Sequence, residues 1–493
     1  MKQNITIWFR MVTLVITVVF LCQGLALADE KSTLAPVWQF PVGKTDTGKG
    51  GHDPKVRAAH SRIFLQRVVN EEIKRLVAKI RLSKPIPYAL GEVVITYSYA
   101  CPLNCGHCGL WQPLKRMELM TDETLDLIIE KIRAYDDNIG ITISGGEPFL
   151  FIEKLCRLVR GLENRRLYIT TSGLGLGDSV EEAKRCLKQL VSGVQEGRVA
   201  IGLSVDKWHN ISAQCRANII EAIVSDEELF TKIDLCLNCV TDPIIGPIDE
   251  SIGLLYDELC RRGLIDHNVT EKARISSEFY NYPMPVKIAF LGRNVVPISV
   301  ARFPAEFIGN YEGKNGEMRT LEIIDGLFYD CITIIPNGDV SIEPFFAGLL
   351  TVGNILYSGE DIETLKEKAA KHPIVYLTSK DSTSVTELFA CASILMPERM
   401  TDQFKRQHTS LAQVRILLEE PAMNYCLTIY ALKRMIDSGI IANPGDFKDL
   451  VSGDDGEFLE NLKRVYDVLS EIKEPGFLDE GRCPSLQELL DSV

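Results

Sequence analysis

Basic side chains are the scarcer charge in this chain: 54 Lys and Arg stand against 67 Asp and Glu in 493 residues, a formal net charge of −13. A nucleic-acid binder normally shows a basic face, so this balance argues against that partner class. Cysteine is thinly spread, 14 in the whole chain, which excludes a disulfide-stapled scaffold. Long apolar runs are missing after residue 28, and a multi-spanning membrane protein is excluded with them. No internal repeat of fixed period is present. The rest is ordinary for a globular protein, 46% hydrophobic and 25% charged. At roughly 150 residues per unit, the length suits two to four structural units.

The N-terminus carries its own pattern. Lys2 and Arg10 precede an apolar run from Met11 to Leu21, and Ala26-Leu27-Ala28 stands just before Asp29 and Glu30. That is the layout of a secretory signal peptide, and residues 11–28 also have about the minimum length of a membrane anchor. No twin arginine is present, so an export route for folded proteins has no support.

Residues 29–58, rich in Gly and Lys, read as a linker, and Phe64, Val68, Ile73, Leu76 and Ile80 set a helical pattern over 61–82. An alternation then begins. EVVITYSY (92–99), IGITIS (139–144), RLYITT (166–171), VAIGLSV (199–205) and IDLCLNCV (233–240) are strand-like. They are near-continuous in apolar and β-branched residues, as strands buried on both faces should be. Helical stripes separate them. Leu125, Ile128, Ile129 and Ile132 form one, Phe151, Leu155, Leu158, Val159 and Leu162 a second, and Val180, Ala183, Leu187, Leu190 and Val191 a third. Another, Ile252, Leu255, Tyr256 and Leu259, follows the fifth strand. Repeated β-then-α units imply a parallel sheet with right-handed crossovers and an active site at the carboxyl ends of its strands. Periodicity does not tell a closed sheet from an open one.

Residues 265–320 are broken by Pro and Gly, with one strand expected near Val286–Phe290. Cys331–Val340 (CITIIPNGDV) reads as a hairpin turning at Asn337-Gly338. The last hundred or so residues look helical. Phe458, Leu462, Val465, Tyr466 and Leu469 form a clear stripe there, and Leu427, Tyr430, Leu432 and Met435 a fuzzier one. The fold class expected is α/β: a partial parallel (β/α)6-type barrel with a small β-hairpin appendage and a C-terminal helical region. The division is a signal-like or anchor segment (1–28), a linker and N-terminal helix (29–90), the barrel (91–300), the hairpin region (301–360) and the helical region (361–493).

Chemistry concentrates at the first two strand ends. Cys101, Cys105 and Cys108 (ACPLNCGHCGL) follow directly on the first strand. Three thiolates in one short loop can grip a metal centre and leave a coordination position open. Structural zinc usually wants a fourth ligand, and a four-iron cluster usually has four Cys. The set is therefore incomplete as a structural site and apt for a cluster in which one iron binds something else. Cys105-x-x-Cys108 alone also fits a redox pair, although Pro113 intervenes before any helix. Gly109, directly after Cys108, excludes a c-type haem site. The second strand ends in Ser144-Gly145-Gly146-Glu147-Pro148. Two glycines let backbone pass close to a ligand, and a following proline biases Glu147 to extended geometry, which fixes where its carboxylate points.

Together these residues resemble the radical S-adenosylmethionine (radical SAM) superfamily. The family's Cys-x3-Cys-x2-Cys pattern falls on Cys101, Cys105 and Cys108, and its Gly-Gly-Glu-Pro on Gly145 to Pro148. The resemblance covers roughly residues 90–260. It implies a [4Fe–4S] cluster whose open iron is chelated by the amino and carboxylate groups of SAM. Gly145 and Gly146 would meet that amino group through backbone, with Glu147 helping to hold it. It implies further SAM contacts at Ser172 in Thr171-Ser172-Gly173, at Ser204 and Asp206 in Ser204-Val205-Asp206, and at Asn238 near the adenosine. His107 lies where the family often has an aromatic residue on adenine, a surface-loop histidine being the alternative. In the family chemistry an electron from the reduced cluster breaks the sulfonium's bond to the 5′ carbon. The resulting 5′-deoxyadenosyl radical abstracts a substrate hydrogen, while the protein orients the parts and excludes water.

Other cysteines read as packing. Cys156, Cys186 and Cys215 lie on helical patterns. Cys236 and Cys239 are three apart in a strand and so point to opposite faces. Trp208 and His209 read as a polar loop opening a helix. Residues 331–354 resemble the start of the auxiliary-cluster extension called SPASM or twitch, but Glu343 and Pro344 stand where its next Cys would be. Cys391, Cys426 and Cys483 are too dispersed to replace it, so the hairpin scaffold is expected without a second cluster.

The function expected is a radical SAM enzyme that modifies a peptide or protein side chain. A small metabolite or cofactor precursor is the alternative substrate, and a non-catalytic iron–sulfur or metal-binding module is the non-enzymatic alternative. A flavodoxin or ferredoxin is the expected electron donor. An oxygen-sensitive site suits the cytoplasm, with a membrane tether through residues 11–28 or export as the alternatives.

Overall fold

The computed structural model describes residues 54–84, 90–103, 119–135, 138–176, 179–195, 197–205, 209–241, 250–265, 281–288, 293–304, 310–312, 318–320, 331–342, 350–380, 382–397, 417–418, 420–472 and 486. The leader, residues 29–53 of the Gly-rich linker, Cys105, His107, Cys108, Asp206, Trp208, Glu343, Pro344 and Cys483 lie outside them, while residues 54–58, read as linker, are helical.

Six strands of the barrel run parallel: β1 (Glu92–Thr96), β2 (Gly140–Ser144), β3 (Arg166–Thr171), β4 (Val199–Ser204), β5 (Ile233–Thr241) and, after β6 (Asn281–Ile288), β7 (Arg293–Pro304). The stretch read as one strand near Val286–Phe290 is thus an antiparallel pair, β6 with β7. Strands β8 (Asn310–Glu312) and β9 (Met318–Thr320) pair only with each other. The hairpin is present as β10 (Cys331–Ile334) and β11 (Asp339–Ser341), followed by β12 (Thr351–Asn354). Gly338 supplies its turn with a φ of 82°, a conformation that favours glycine. The hairpin is continuous with the barrel, because β10 pairs in parallel with β1. In space the order is β12-β11-β10-β1-β2-β3-β4-β5-β7-β6, so the described strands form an open sheet.

The helices stand where amphipathic stripes and caps place them. Helix α1 (Pro54–Lys79) precedes the sheet and starts earlier than its apolar stripe. Helix α2 (Asp122–Arg133) is capped by the Thr121 hydroxyl, which accepts from Thr124 N, with acids in its first turn and bases in its last. It buries Leu125, Ile128, Ile129 and Ile132. Helices α3 (Ile152–Gly161) and α4 (Val180–Val191) follow β2 and β3. Between β4 and β5 lie α5 (Ala213–Val224), the helix expected around Cys215, and the short α6 (Glu227–Lys232), which the apolar periodicity did not reveal. In α5 even Arg216 and Asn218 are buried, so no polar face marks it as amphipathic. Helix α7 (Glu250–Arg261) follows β5.

The C-terminal region is helical: α8 (Ile362–Lys371), α9 (Pro373–Lys380), α10 (Ser382–Leu395), α11 (Pro421–Asp437) and α12 (Asp455–Glu471). Helix α11 is buried along almost its whole first three turns and packs on α1, α9, α10 and α12. That explains its blurred stripe, since a helix covered all round needs no polar face. Lys74 of α1 pairs with Asp339 of β11 at 2.9 Å, tying the N-terminal helix to the hairpin.

The strands correct one expectation. They are buried on both faces, but only one face is apolar. Val93, Ile95, Ile141, Ile143, Leu167, Ile169, Val199, Ile201, Leu203 and Leu237 join the core shared with the helices. Alternation sends the even-numbered residues to the barrel interior. These include Thr96, Thr142, Ser144, Tyr168, Gly202, Ser204, Cys236 and Asn238. Val94, Tyr168 and Cys236 are buried yet lie outside the helix-side core.

Candidate active site

The first strand gives way to the cysteine loop at a closed neck. Ser98 forms an antiparallel bridge with Leu119, and Met120 N donates to Tyr97 O at 2.9 Å. The loop bearing the three cysteines therefore leaves and re-enters the sheet at one place. Cys101, half-buried and not in a disulfide, stands on its outgoing arm.

The end of β2 lies directly on that arm. Gly146 N donates to Ser98 O and Glu147 N to Ala100 O, each at 2.8 Å. A Cβ on Gly146 would fall 2.0 Å from Ala100 O, and one on Gly145 would fall 2.4 Å from Ser98 O. The obstacles are backbone atoms, so nothing larger than glycine fits at either position. Gly145 also has a φ of 132°, a second reason for glycine there. The glycine pair thus brings the two strand ends together and fixes the stem of the cysteine loop.

Glu147 is 1% exposed, and its carboxylate is met entirely by the protein. Thr171 Oγ1 donates to one oxygen at 2.5 Å and Phe149 N to the same oxygen at 3.3 Å. Ser172 donates to the other oxygen through N at 2.9 Å and Oγ at 2.5 Å. Burial pushes the carboxyl pKa up, and the Ser172 and Thr171 hydrogen bonds oppose that shift. In this arrangement Glu147 bolts the tip of β2 to the tip of β3. Ser172 is drawn into the same bracket.

Further along the strand ends, Ser204 O accepts from the buried Arg216 of α5 at 3.1 Å, and Val205 N donates to Asn238 O at 2.6 Å. Asn238 is 3% exposed, and its Nδ2 donates to Tyr168 Oη at 2.9 Å. Tyr168 Oη lies 3.4 Å from Cys236 Sγ. This contact crosses β4 only because residue 202 is glycine: a Cβ there would sit 1.9 Å from Tyr168 Oη and 2.4 Å from Asn238 Nδ2. Burial raises the Tyr168 pKa well above its usual value and the Cys236 pKa to about 11, so both stay protonated near neutrality. Cys236 is buried, as a packing residue should be, and it faces the interior beside polar partners. Cys156 and Cys186 lie in the helix-side packing.

Sequence reasoning missed Tyr168, Arg216 and Thr96. The two-residue alternation of polar and small side chains in RLYITT and VAIGLS signals Tyr168, and an arginine inside the apolar AQCRANIIEAIV signals Arg216. Thr96 is fully buried at the end of β1, and its hydroxyl has no hydrogen-bond partner among the described residues.

The described residues suit a group bound where β1 meets β2. A cysteine outside any disulfide at Cys101, a glycine pair too tightly placed for any side chain, and a buried hydroxyl at Thr96 with no hydrogen-bond partner among the described residues converge there. Residues 95–224 match the family model described as the radical SAM superfamily. The chain carries a radical SAM domain over those residues.

Solved structures of radical SAM enzymes are among those similar to the chain. Native anSMEcpe with bound AdoMet (SAM) is 16% identical, over 71% of this chain and 99% of that one, with a TM-score of 0.36. Streptococcus suis SuiB bound to its precursor peptide SuiA is 14% identical, over 70% and 76%, with a TM-score of 0.37. BtrN in complex with AdoMet and 2-DOIA is 11% identical, over 60% and 89%, with a TM-score of 0.31. No curated protein matches the chain. Among the described residues no helix is long and apolar enough to cross a membrane, and no group of three metal-binding side chains occurs.

Proposed function

We propose that this radical SAM enzyme holds a [4Fe–4S] cluster on Cys101, Cys105 and Cys108, binds SAM across the carboxyl ends of its strands, and takes hydrogen from a peptide or protein side chain. The observation that carries this reading is the packing of Gly145 and Gly146 on the stem of the cysteine loop, with backbone hydrogen bonds of 2.8 Å. Cluster and SAM together supply a reductively generated 5′-deoxyadenosyl radical. The chain's own residues bind, orient and exclude. The Ser98–Leu119 neck holds the loop's two ends at one point. Glu147, through Thr171 and Ser172, keeps the glycine pair in place, so that its backbone is presented to the methionyl amino group. Ser204 and Asp206 meet the ribose or the carboxylate, Asn238 the adenosine, and His107 the adenine. The buried interior face surrounds the reacting atoms with few water molecules, which suits a radical that any stray hydrogen donor would quench.

A peptide is the substrate class on two grounds. The hairpin region resembles the start of the SPASM extension, which often accompanies peptide-modifying enzymes. The described strands also form a sheet that ends at β12 and β6 without closing, an architecture that suits a substrate as bulky as a peptide. A flavodoxin or ferredoxin supplies the electron. The test is anaerobic reconstitution, addition of SAM and a reductant, and measurement of 5′-deoxyadenosine. Product above a Cys108→Ala control is expected, and its absence refutes the reading.

A further inference from the structure

We propose that the Thr96 hydroxyl is a binding group for the methionyl end of SAM. The inference rests on the radical SAM reading above and adds a residue from β1 to a site otherwise built from the loop after β1 and the ends of β2 to β5.

Three observations carry it. Thr96 is 0% exposed and its Oγ1 has no hydrogen-bond partner among the described residues. A buried hydroxyl without a partner is a destabilising feature, and proteins keep few of them unless something else completes the bond. Thr96 also lies on the interior face. Its neighbours Ile95 and Tyr97 belong to the helix-side core, Thr96 does not, and it pairs in register with Ser144. Finally, it lies directly against Gly145. Its Cγ2 methyl is 3.3 Å from where a Cβ on Gly145 would be, a tight contact. The Thr96 side chain is therefore beside the backbone proposed to receive the amino group, with its methyl toward Gly145. A threonine hydroxyl both donates and accepts, so it can serve either charged group of an α-amino acid.

The test compares Thr96→Val, which keeps the shape and removes the hydroxyl, with Thr96→Ser, which keeps the hydroxyl. Each reconstituted protein is checked for equal iron content, and ligand affinity is measured by anaerobic equilibrium dialysis. In Thr96→Val the Kd for SAM is expected to rise about five- to tenfold, with the same loss for S-adenosylhomocysteine, which shares the methionyl end. Affinity for 5′-deoxyadenosine, which lacks that end, stays unchanged, and Thr96→Ser binds SAM within about twofold of the parent. The thermal midpoint of ligand-free Thr96→Val is equal to the parent's or higher, because an unmet polar group has been removed. Unchanged SAM affinity in Thr96→Val, an equal loss for 5′-deoxyadenosine, or a loss of iron would each overturn the assignment. A parent protein that binds no SAM at all sinks the radical SAM reading as well, which separates the two failures.

Discussion

On the helix side of β1 to β5, each strand contributes isoleucine, leucine or valine to a core shared with α2 to α7, and sheet and helices bury one another. On the interior side the same strands carry threonine, serine, glycine, asparagine, tyrosine and cysteine, and several are held by specific contacts between strands. Both faces are buried, so burial does not distinguish them. Chemistry does. The apolar face holds the fold together through area removed from water, and the polar face can do so only where hydrogen-bond partners are present. Thr96 is the point on the interior face of β1 where the hydroxyl finds no such partner among the described residues.

Three substitutions test that division. Ile169→Ala on the helix face should have the largest effect, a loss of about 2–5 kcal/mol in urea unfolding, because a fully buried branched side chain leaves a cavity. SAM affinity of the folded protein should stay within about twofold. A marked fall in affinity would break the comparison. Gly146→Ala at the interior mouth should do the reverse. The added methyl meets Ala100 O, a backbone atom, at 2.0 Å, so the stem of the cysteine loop must shift. A displacement of that kind should lower 5′-deoxyadenosine formation by about 100-fold, read against iron content, with the chain still folded. The smallest effect is expected for Gly202→Ala, where the methyl meets Tyr168 Oη at 1.9 Å inside the barrel. Overpacking there should cost about 1–3 kcal/mol, and adding Tyr168→Phe should recover part of it in a double-mutant cycle. Strict additivity would mean that the Tyr168 hydroxyl and residue 202 do not meet.

Much of the barrel was legible in the chain, for physical reasons that also explain the gaps. RLYITT was read with the bounds of β3, since polar turns flank it on both sides. EVVITYSY was read too long: β1 ends at Thr96, and Tyr97 to Ala100 turn their backbone to the glycine pair and to the returning arm of the cysteine loop. Helix α5 showed only as a helical pattern around Cys215, without a clear stripe, because burying Arg216 and Asn218 erases the polar face that periodicity looks for. The antiparallel β6–β7 pair was hidden by prolines, which lie within both strands. At the site, the glycine pair, Glu147 and the cysteines were all recognisable by type. That Glu147 is saturated by Thr171, Ser172 and Phe149 was not, because its partners come from another strand and from a turn whose path residue spacing alone does not give. Thr96 left no trace at all, since a β-branched residue in a strand looks the same whether it packs or binds.

By itself the amino-acid order determined the β-then-α alternation, the placing of three cysteines after the first strand, and the glycines and carboxylate after the second. These depend on local preferences and short spacings, which neighbouring residues impose on one another. Only the tertiary structure decided that the hairpin extends the barrel sheet, that Glu147 faces the third strand, that Tyr168 crosses a glycine to reach Asn238, and that Thr96 is left with an unmet hydroxyl. Each of these depends on which strands lie side by side and in what register, and that is settled when distant segments pack together, where one residue of offset turns every side chain to the other face.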